Sequence, residues 1–335
     1  MKTKSFALDL GNRFIKAYDG VATPWSLASV HADILNRNPP AIDTNSVQIQ
    51  YHSGKSALIG KHWIVGMSAR EARKYTNTVS LPNKTEVALK LLLGAVRPSK
   101  GFGPEDIVID PLYTSLPNPD LDGPVLSESV IGTHDFTRNN VPLTVQINRV
   151  VVHPEGLGGY NYAIRKGVIQ SGELNGVLDL GGGTAIASLY NGDGQQIPEA
   201  RAVFRKGGSY SLASDLAADP ELVAAARGTP MMDMVLDAIA NGTFQYGTTS
   251  YSFQHLFNQY RAAWLQNLID EVIARWDSWL DRISKIVVIG GAAPLAQIFV
   301  DDPRNSWLVI CPEPQYANVF GLLGVETKIL SSRSF

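Results

Sequence analysis

The chain has only one cysteine, Cys311, among its 335 residues, so no disulfide can form within it. A lone thiol is typical of proteins from a reducing compartment. No apolar run approaches the roughly 20 residues that a membrane-spanning helix requires, and the first residues contain no apolar stretch of signal-peptide length. We therefore expect a cytoplasmic protein without a membrane anchor.

The sequence also lacks an excess of charge of either sign, with 29 basic and 31 acidic residues and a formal net charge of −2. Direct binding to nucleic acid usually requires a basic surface, so we expect none here. The 6 histidines are scattered, and no Cys/His spacing is typical of a metal site. No nucleophile-elbow motif indicates Ser/His/Asp catalysis.

The length of 335 residues favours two domains, because a single hydrophobic core rarely grows beyond about 250–300 residues. Apolar residues make up 44% of the chain, which is ordinary for a globular protein. Strand-like and helix-like segments alternate in both halves of the sequence. This alternation predicts an α/β architecture.

Several segments have a clear local signal. Residues 5–19 alternate around a Gly-Asn turn and predict a β-hairpin. Apolar spacing predicts helices over 84–96 and 253–283. The proline-rich stretch 116–124 predicts a loop after a strand. The stretch 24–62, rich in Pro, Asn and Ser with scattered strand-like pieces such as 47–51, predicts a small irregular insertion.

One short phrase occurs twice. Leu-Asp-Leu-Gly stands at residues 8–11 and again at 178–181. Each copy continues into a second apolar strand and ends in a similar turn, Tyr-Asp-Gly at 18–20 and Tyr-Asn-Gly at 190–192. The sequence therefore predicts two related halves, each opening with a hairpin whose tip carries Asp and Gly.

The first tip suits a phosphate. Gly11 and Asn12 tolerate the backbone conformations of a tight turn, and their small size lets backbone N–H groups approach an anion. Lys16, on the returning strand, can reach the same phosphate. Asp9 repels phosphate, so its sensible role is to hold Mg²⁺ through water. Taken alone, the segment is better interpreted as an ordinary tight turn.

The second tip carries a stronger signal, because Asp179 precedes Gly181, Gly182, Gly183 and Thr184. Three successive glycines lose much chain entropy on folding. That cost is reasonable where a large group approaches the backbone. A flexible hairpin is the alternative for this copy alone, but two matched copies together favour a phosphate clamp that holds a metal.

Two further segments carry weaker signals. Gly290, Gly291 and Ala292 follow a buried strand, and small residues there let a flat ring or a sugar lie against the backbone. Glu155, held between Pro154 and Gly156, could orient a water for attack on a γ-phosphate. Without the paired tips, a solvated turn glutamate would be the better interpretation of Glu155.

In their order along the chain, these motifs resemble the nucleotide-binding motifs of the actin, sugar-kinase and seventy-kilodalton heat-shock superfamily. Two more segments narrow the resemblance to ParM-like plasmid-segregation actins. Pro-Glu-Gly at 154–156, before Gly-Gly-Tyr at 158–160, resembles their first connecting segment, and Gln-Tyr-Ala-Asn-Val-Phe-Gly at 315–321 resembles the second. The resemblance covers nearly the whole chain, although 24–75 matches nothing in it.

The resemblance implies an α/β, two-lobed actin-like fold, made of a duplicated ribonuclease H-like unit with the nucleotide in the interlobe cleft. The first lobe would comprise 1–165, with an insertion at about 24–80 and with 318–335 returning to it. The second lobe would comprise 166–317.

The resemblance also implies roles for individual residues. Asp9 and Asp179 would position Mg²⁺ and water, and Glu155 would orient the attacking water. The adenosine loop has Ala292 where relatives often have a third glycine, which leaves ATP or GTP as the nucleotide. The residues implied in nucleotide binding are Gly11, Asn12, Lys16, Gly181, Gly182, Gly183, Thr184, Gly207, Gly208, Gly290, Gly291 and Ala292.

The activity implied is ATP hydrolysis coupled to polymerisation of the chain into cytoskeletal filaments. ParM-like relatives further imply a small DNA-binding, ParR-like adaptor as a partner, by analogy. DNA segregation and cell organisation both remain open as the task. The alternatives are a non-polymerising small-molecule kinase of the same superfamily, and a scaffold that binds ATP but hydrolyses it poorly.

Overall fold

The computed structural model describes residues 2–34, 41–72, 74–78, 81, 84–99 and 103–323. It divides into two compact units, of which the first comprises Met1–Tyr162 with Tyr316–Phe335 and the second comprises Ala163–Gln315. Of the segment that the resemblance returns to the first lobe, residues 324–335 lie outside the described residues. Parts of the expected insertion, at 35–40, 73 and 79–80, lie outside them as well.

The first unit is built on one mixed sheet. Its described strands are β1 (Lys2–Leu10), β2 (Phe14–Tyr18), β3 (Trp25–Ala28), β4 (Val30–Asp33), β5 (Ser46–Ser53), β6 (His62–Gly66), β7 (Thr76–Asn77), β8 (Glu105–Leu116), β9 (Gly132–Arg138), β10 (Val141–Ile147) and β11 (Val150–Pro154). Their order is β3-β2-β1-β8-β10-β9-β5-β6-β4-β7, and β11 also pairs with β8. Because β1 and β11 both run parallel to β8, these three strands end at the same edge of the sheet.

The stretch 24–62 is more regular than its composition predicts. It contributes β3, β4 and β5 to the main sheet, together with His62, the first residue of β6, and Val47, Ile49 and Tyr51 in β5 are buried. The prediction of an irregular insertion there is therefore wrong at the level of secondary structure, except that the strand-like piece at 47–51 lies within β5. Pro, Asn and Ser mark the turns between short strands, whose buried aromatic and branched residues supply the sheet pairing.

Three described helices begin in the first unit before the chain enters the second: α1 (Ala88–Ala95), α2 (Pro119–Val130) and α3 (Leu157–Arg165), whose last three residues belong to the second unit. The helix predicted over 84–96 is confirmed, although its first turn, Lys84–Val87, is a 3₁₀ helix. Leucines on several sides of α1 are buried against β1 and its neighbours, since Leu91 and Leu92 belong to the same apolar core as Leu8. Helix α1 therefore covers one face of the sheet around β1.

The loop predicted over 116–124 is wrong, because α2 begins at Pro119. Proline is favoured in the first turn of a helix, and Asp120 and Asp122 lie there as well, where the helix dipole favours acidic side chains. Pro124 lies inside the helix, on its exposed side. Proline and acidic residues are thus typical of a helix start here, but the number of prolines in the stretch favoured a loop.

The second unit contains a five-stranded sheet with the order β14-β13-β12-β15-β16. Its strands are β12 (Leu174–Leu180), β13 (Ala185–Tyr190), β14 (Ala202–Phe204), β15 (Ile283–Ile289) and β16 (Leu308–Ile310), and its described helices are α4 (Ser209–Ala217), α5 (Pro220–Ala226), α6 (Met232–Ala240), α7 (Gln254–Trp276) and α8 (Gln297–Val300). Both predicted hairpins, β1–β2 and β12–β13, are confirmed as antiparallel pairs.

The helix predicted over 253–283 ends earlier than its apolar pattern suggests. Helix α7 stops at Trp276, a 3₁₀ turn covers Asp277–Arg282, and Ile283 pairs with Leu174 as the start of β15. Trp276 is fully buried and donates its indole N–H to the Ala200 carbonyl at 2.7 Å. The pairing of Ile283 with β12 therefore places this residue in a strand, although its spacing from the other apolar residues is helical.

The last described helix, α9 (Ala317–Leu322), belongs to the first unit and crosses α3 there. A Cβ on Gly321 would overlap with the Gly158 carbonyl, so the two helix backbones are in direct contact. Asn318 accepts a hydrogen bond from the Gly159 N–H at 3.0 Å. On its other side, α9 packs Val319 against the sheet.

Candidate functional site

The first hairpin tip brings together an acid, a lysine and a glycine. Asp9 in β1 is paired with Lys16 in β2, and Lys16 Nζ lies 2.9 Å from Asp9 Oδ2, with the side chains 11% and 14% exposed. A Cβ at Gly11 would lie 2.5 Å from the Phe14 carbonyl oxygen and 3.2 Å from Lys16 Nζ. Any larger residue at position 11 would displace the turn or the ammonium group.

Donors elsewhere in the first unit hold the carbonyl groups of this tip. The Leu10 oxygen accepts from Lys84 Nζ at 2.8 Å, and the Gly11 oxygen accepts from Ser29 Oγ at 2.5 Å. The backbone N–H of Ser29 donates to the Arg13 oxygen at 2.9 Å. Because these lone pairs are turned toward the protein, an approaching anion is not repelled by them.

Glu155 lies at the same edge of the sheet as Asp9. Asp9 and Ser115 lie near the ends of the adjacent parallel strands β1 and β8, and Ser115 is paired with His153 of β11. Glu155 follows β11 directly, and its N–H donates to the Leu116 carbonyl at 3.2 Å. One strand separates β1 from β11, so Asp9 and Glu155 belong to strands roughly 10 Å apart.

The second tip repeats this design. The Gly181 N–H donates to the Thr184 carbonyl at 2.9 Å and closes the turn. The Gly181 and Gly182 carbonyls accept from the first two N–H groups of α4, those of Ser209 at 3.1 Å and Tyr210 at 2.8 Å. Here too, the carbonyl oxygens of a glycine-rich tip are directed into the protein.

Packing explains the two glycines before α4. A Cβ on Gly208 would overlap with the Gly182 carbonyl and lie 2.6 Å from the Thr184 nitrogen. A Cβ on Gly207 would lie 2.6 Å from the Ala185 Cβ. These glycines let α4 approach the second tip closely, a requirement that is independent of any ligand.

The turn after β15 lies beside Asp179. Ile289, the last residue of β15, is paired with Asp179, and Gly290 follows with a φ of +93°. A Cβ there would overlap with the Asp179 carboxylate, whereas a Cβ on Gly291 would meet nothing within 4 Å. Ala292 is buried, and its N–H donates to the Leu180 carbonyl at 2.9 Å. The observed position of the Asp179 side chain therefore requires a glycine at residue 290.

The structure gathers the predicted residues in two groups, one in each unit. Asp9, Gly11, Asn12, Lys16 and Glu155 lie at the ends of β1, β2 and β11 in the first unit. In the second unit, the ends of β12 and β15 and the start of α4 carry Asp179, Gly181, Gly182, Gly183, Thr184, Gly207, Gly208, Gly290, Gly291 and Ala292.

Sequence reasoning missed three residues around the first tip. Ser29 and Lys84 hold its carbonyls, and Ser115, 4% exposed, has no hydrogen-bond partner for Oγ among the described residues. Only Lys84 carried a signal, because a basic residue in the first turn of a helical segment is unfavourable to the helix dipole. Nothing in the sequence distinguishes the two serines.

Two negative findings concern the part of the chain that the structure describes. It contains no group of three or more His, Cys, Asp or Glu residues able to hold a metal ion by themselves. No helix there combines the length and the apolar character needed to cross a membrane.

Cys311 is buried beyond β16, and burial raises its thiol pKa to about 12.

Comparison with solved structures identifies the fold. An archaeal actin homologue superposes with a TM-score of 0.77 at 17% identity, covering 98% of this chain and 100% of that one. A 15-stranded ParM filament from Clostridium botulinum matches with a TM-score of 0.76 at 16% identity, covering 98% and 100% of the two chains. The archaeal homologue in complex with ADP matches at 0.73 and 16% identity, with 97% and 99% covered.

The chain therefore has the actin-like fold over nearly its whole length. The resemblance to ParM-like actins inferred from the motifs is confirmed at the level of the fold, as is the α/β actin-like class. The sequence matches no protein-family model and no curated protein.

Proposed function

We propose that this chain is an actin-like ATPase that assembles into nucleotide-dependent filaments. One observation carries the proposal: the same Asp-and-glycine tip occurs in both units, and in both copies the carbonyls are bonded into the protein. The match to an actin homologue that has been crystallised with ADP supports nucleotide binding. The match to a ParM filament supports self-association.

The residues present fit Mg²⁺ and a nucleotide phosphate. Mg²⁺ keeps much of its water and is usually held by one or two carboxylates together with substrate phosphates. Asp9 of the first tip and Asp179 of the second would supply those carboxylates. Mg²⁺, when bound, would neutralise charge on the phosphates during transfer.

Each group of side chains has a role in the proposed hydrolysis. Gly11 and Asn12 of the first tip, and Gly181 to Thr184 of the second, would bind phosphate oxygens through backbone N–H groups. Lys16 would contact a phosphate from the returning strand. Glu155 would orient the attacking water and accept its proton. The turn from Gly290 to Ala292 would line the base and ribose of ATP or GTP, and Gly207 and Gly208 would support them.

Filament growth needs a contact that repeats without closing. A head-to-tail contact between two different surfaces of one chain builds an open polymer when its rotation does not close a ring. Bound nucleotide would favour the assembling conformation, and hydrolysis would release it. By analogy with ParM-like relatives, we propose a small DNA-binding adaptor as partner and a task in DNA segregation or cell organisation, in the cytoplasm.

Sedimentation and negative-stain electron microscopy test this proposal. The purified chain is incubated with Mg²⁺ and ATP, with Mg²⁺ and ADP, or without nucleotide. We expect pelletable filaments with ATP and phosphate release without any added acceptor, which separates an ATPase from a small-molecule kinase. Protein that remains monomeric in all three conditions would contradict polymerisation, and the absence of phosphate release would contradict the ATPase.

A further inference from the structure

The first tip holds two lysine ammonium groups and one carboxylate, besides the Arg13 guanidinium, whose Cζ lies 5.4 Å from the centre of the Phe14 ring. Lys84 Nζ lies 2.8 Å from the Leu10 carbonyl oxygen, and Lys16 Nζ lies 3.2 Å from the position of a Cβ on Gly11. The two ammonium groups therefore flank the peptide that joins Leu10 to Gly11. Asp9 is the carboxylate at this place, and it is engaged with Lys16.

The charge of Lys16 is largely compensated. Its Nζ is 2.9 Å from Asp9 Oδ2, and the fields of two opposite charges this close largely cancel at a phosphate several ångströms away. If Asp9 binds Mg²⁺, its single carboxylate faces two positively charged groups, the metal and Lys16. Lys16 and Asp9 together therefore contribute no net charge to the tip.

The charge of Lys84 is not compensated in this way. Its hydrogen bond is to a neutral carbonyl, and no carboxylate within the described ranges forms an ion pair with it. The side chain is half-buried. The backbone of Lys84 is held in place, because this residue is the first of the 3₁₀ turn that precedes α1 and is followed by the buried Thr85. A fixed ammonium group beside a glycine turn is the kind of point charge that binds phosphate well.

We propose that Lys84 is a second phosphate-binding lysine of the site, and that it adds positive charge to the first tip. This inference depends on the proposed nucleotide binding and names a residue that the motifs do not contain. It assigns a direct phosphate contact to the residue, in addition to its hydrogen bond with Leu10.

The test compares Lys84→Met with Lys61→Met. Both variants remove one positive charge from the first unit, but Lys61 is an exposed residue away from the tip. Dissociation constants for ATP, ADP and adenosine are measured by calorimetry, each at low and high salt. We expect Lys84→Met to weaken ATP and ADP binding by roughly 10- to 100-fold, as the loss of a hydrogen bond to a charged group implies. Adenosine binding should be unchanged, and Lys84→Arg should restore most of the affinity for ATP.

Each outcome decides between a phosphate contact and a structural role. A selective loss for the phosphate-bearing ligands, with a shallower salt dependence, supports the inference. A loss of ATP affinity with the salt dependence of the wild type would indicate a distorted tip and overturn it, because the tip is proposed to bind phosphate and not adenosine. Equal losses for ATP and adenosine would also overturn it. Unchanged ATP binding in Lys84→Met would overturn it as well. A wild-type chain that binds no nucleotide at all would instead overturn the proposed function, so the two failures are distinguishable.

Discussion

At the scale of single residues, Gly290 and Gly291 are neighbours with opposite spatial requirements. Gly290 has a φ of +93°, and a Cβ there would overlap with the Asp179 carboxylate, while a Cβ on Gly291 meets nothing within 4 Å. We expect Gly290→Ala to lower the free energy of unfolding by about 1–3 kcal/mol from backbone strain alone, and by more if Asp179 is displaced.

Gly291→Ala is the matched control for this experiment. Both variants add one methyl group to the same turn, and urea denaturation measures the stability of each. The control should remain within about 0.5 kcal/mol of the wild type. Equal stability of the two variants would show that the Asp179 side chain does not depend on Gly290.

Glu155 offers a test of the proposed chemistry. We expect Glu155→Ala to slow ATP hydrolysis by roughly 10²-fold or more, because the attacking water loses its base. The affinity for ATP should be preserved, because Glu155 is proposed to contact water rather than phosphate. Glu128→Ala, which removes an exposed carboxylate of the same unit, is the control. Unchanged phosphate release in Glu155→Ala would remove that assignment.

His31 makes stability depend on pH. Burial, and then the nearby Lys90 charge, lower its pKa from 6.5 to about 4. As pH falls through this range, the unfolded chain binds a proton that the folded chain excludes, so the free energy of unfolding decreases. The slope from this residue is at most about 1.4 kcal/mol per pH unit, and it ends below the folded pKa.

We therefore expect His31→Phe to show a flatter loss of stability than the wild type between pH 6.5 and 4. Urea denaturation across that range measures the difference, and carboxylates that titrate in both proteins cancel from it. Parallel curves for His31→Phe and the wild type would contradict this prediction.

At the scale of elements, the crossing of α3 and α9 depends on glycine. A Cβ on Gly321 would overlap with the Gly158 carbonyl, whereas a Cβ on Gly123 in α2 would lie 3.5 Å from Val152, which is ordinary contact. We expect Gly321→Ala to destabilise the protein by about 1–3 kcal/mol or more, as overpacking does. Gly123→Ala should instead stabilise it by about 0.5–1 kcal/mol, because alanine favours a helix.

Thermal and urea denaturation of the two variants check this pair. Both substitutions add a methyl group to a helix of the first unit, so they differ only in what that methyl meets. A stable Gly321→Ala protein would mean that the backbones of α3 and α9 can separate without cost.

Elements with strong local signals could be predicted from the sequence. The two hairpins were predictable because Gly and Asn fix the turn and apolar residues alternate on both sides. Helix α2 was not, since three prolines in 116–124 outweighed the favourable first turn. The early end of α7 was not predictable either, because the pairing of Ile283 with Leu174 joins residues far apart in the chain.

At the scale of the whole molecule, the fold could be predicted and the site only in part. The repeated motifs identify the actin-like fold, because they stand in the right order along the chain, and comparison with solved structures confirms it. The motifs place Asp9 and Asp179 on equivalent hairpins. They do not reveal Lys84, which reaches the Leu10 carbonyl across 74 positions of sequence. Such a contact is a product of tertiary packing.

Nucleotide binding should stabilise the whole chain. A ligand that binds only the folded state adds about 2.7 kcal/mol at a concentration 100 times its dissociation constant. We therefore expect Mg²⁺ and ATP to raise the melting temperature of the wild type by several degrees in differential scanning calorimetry. Asp179→Asn should reduce this increase, because it weakens the proposed metal site. A wild type that melts at the same temperature with and without ATP would contradict nucleotide binding.

The burial of Cys311 makes the chain convenient for site-specific labelling. A thiol with a pKa of about 12, enclosed beyond β16, reacts poorly with maleimides because almost none of it is thiolate at neutral pH. An introduced cysteine can therefore be labelled without first replacing Cys311. A single Val21→Cys substitution, at a side chain that is 80% exposed, would carry a fluorophore for following subunit exchange in real time.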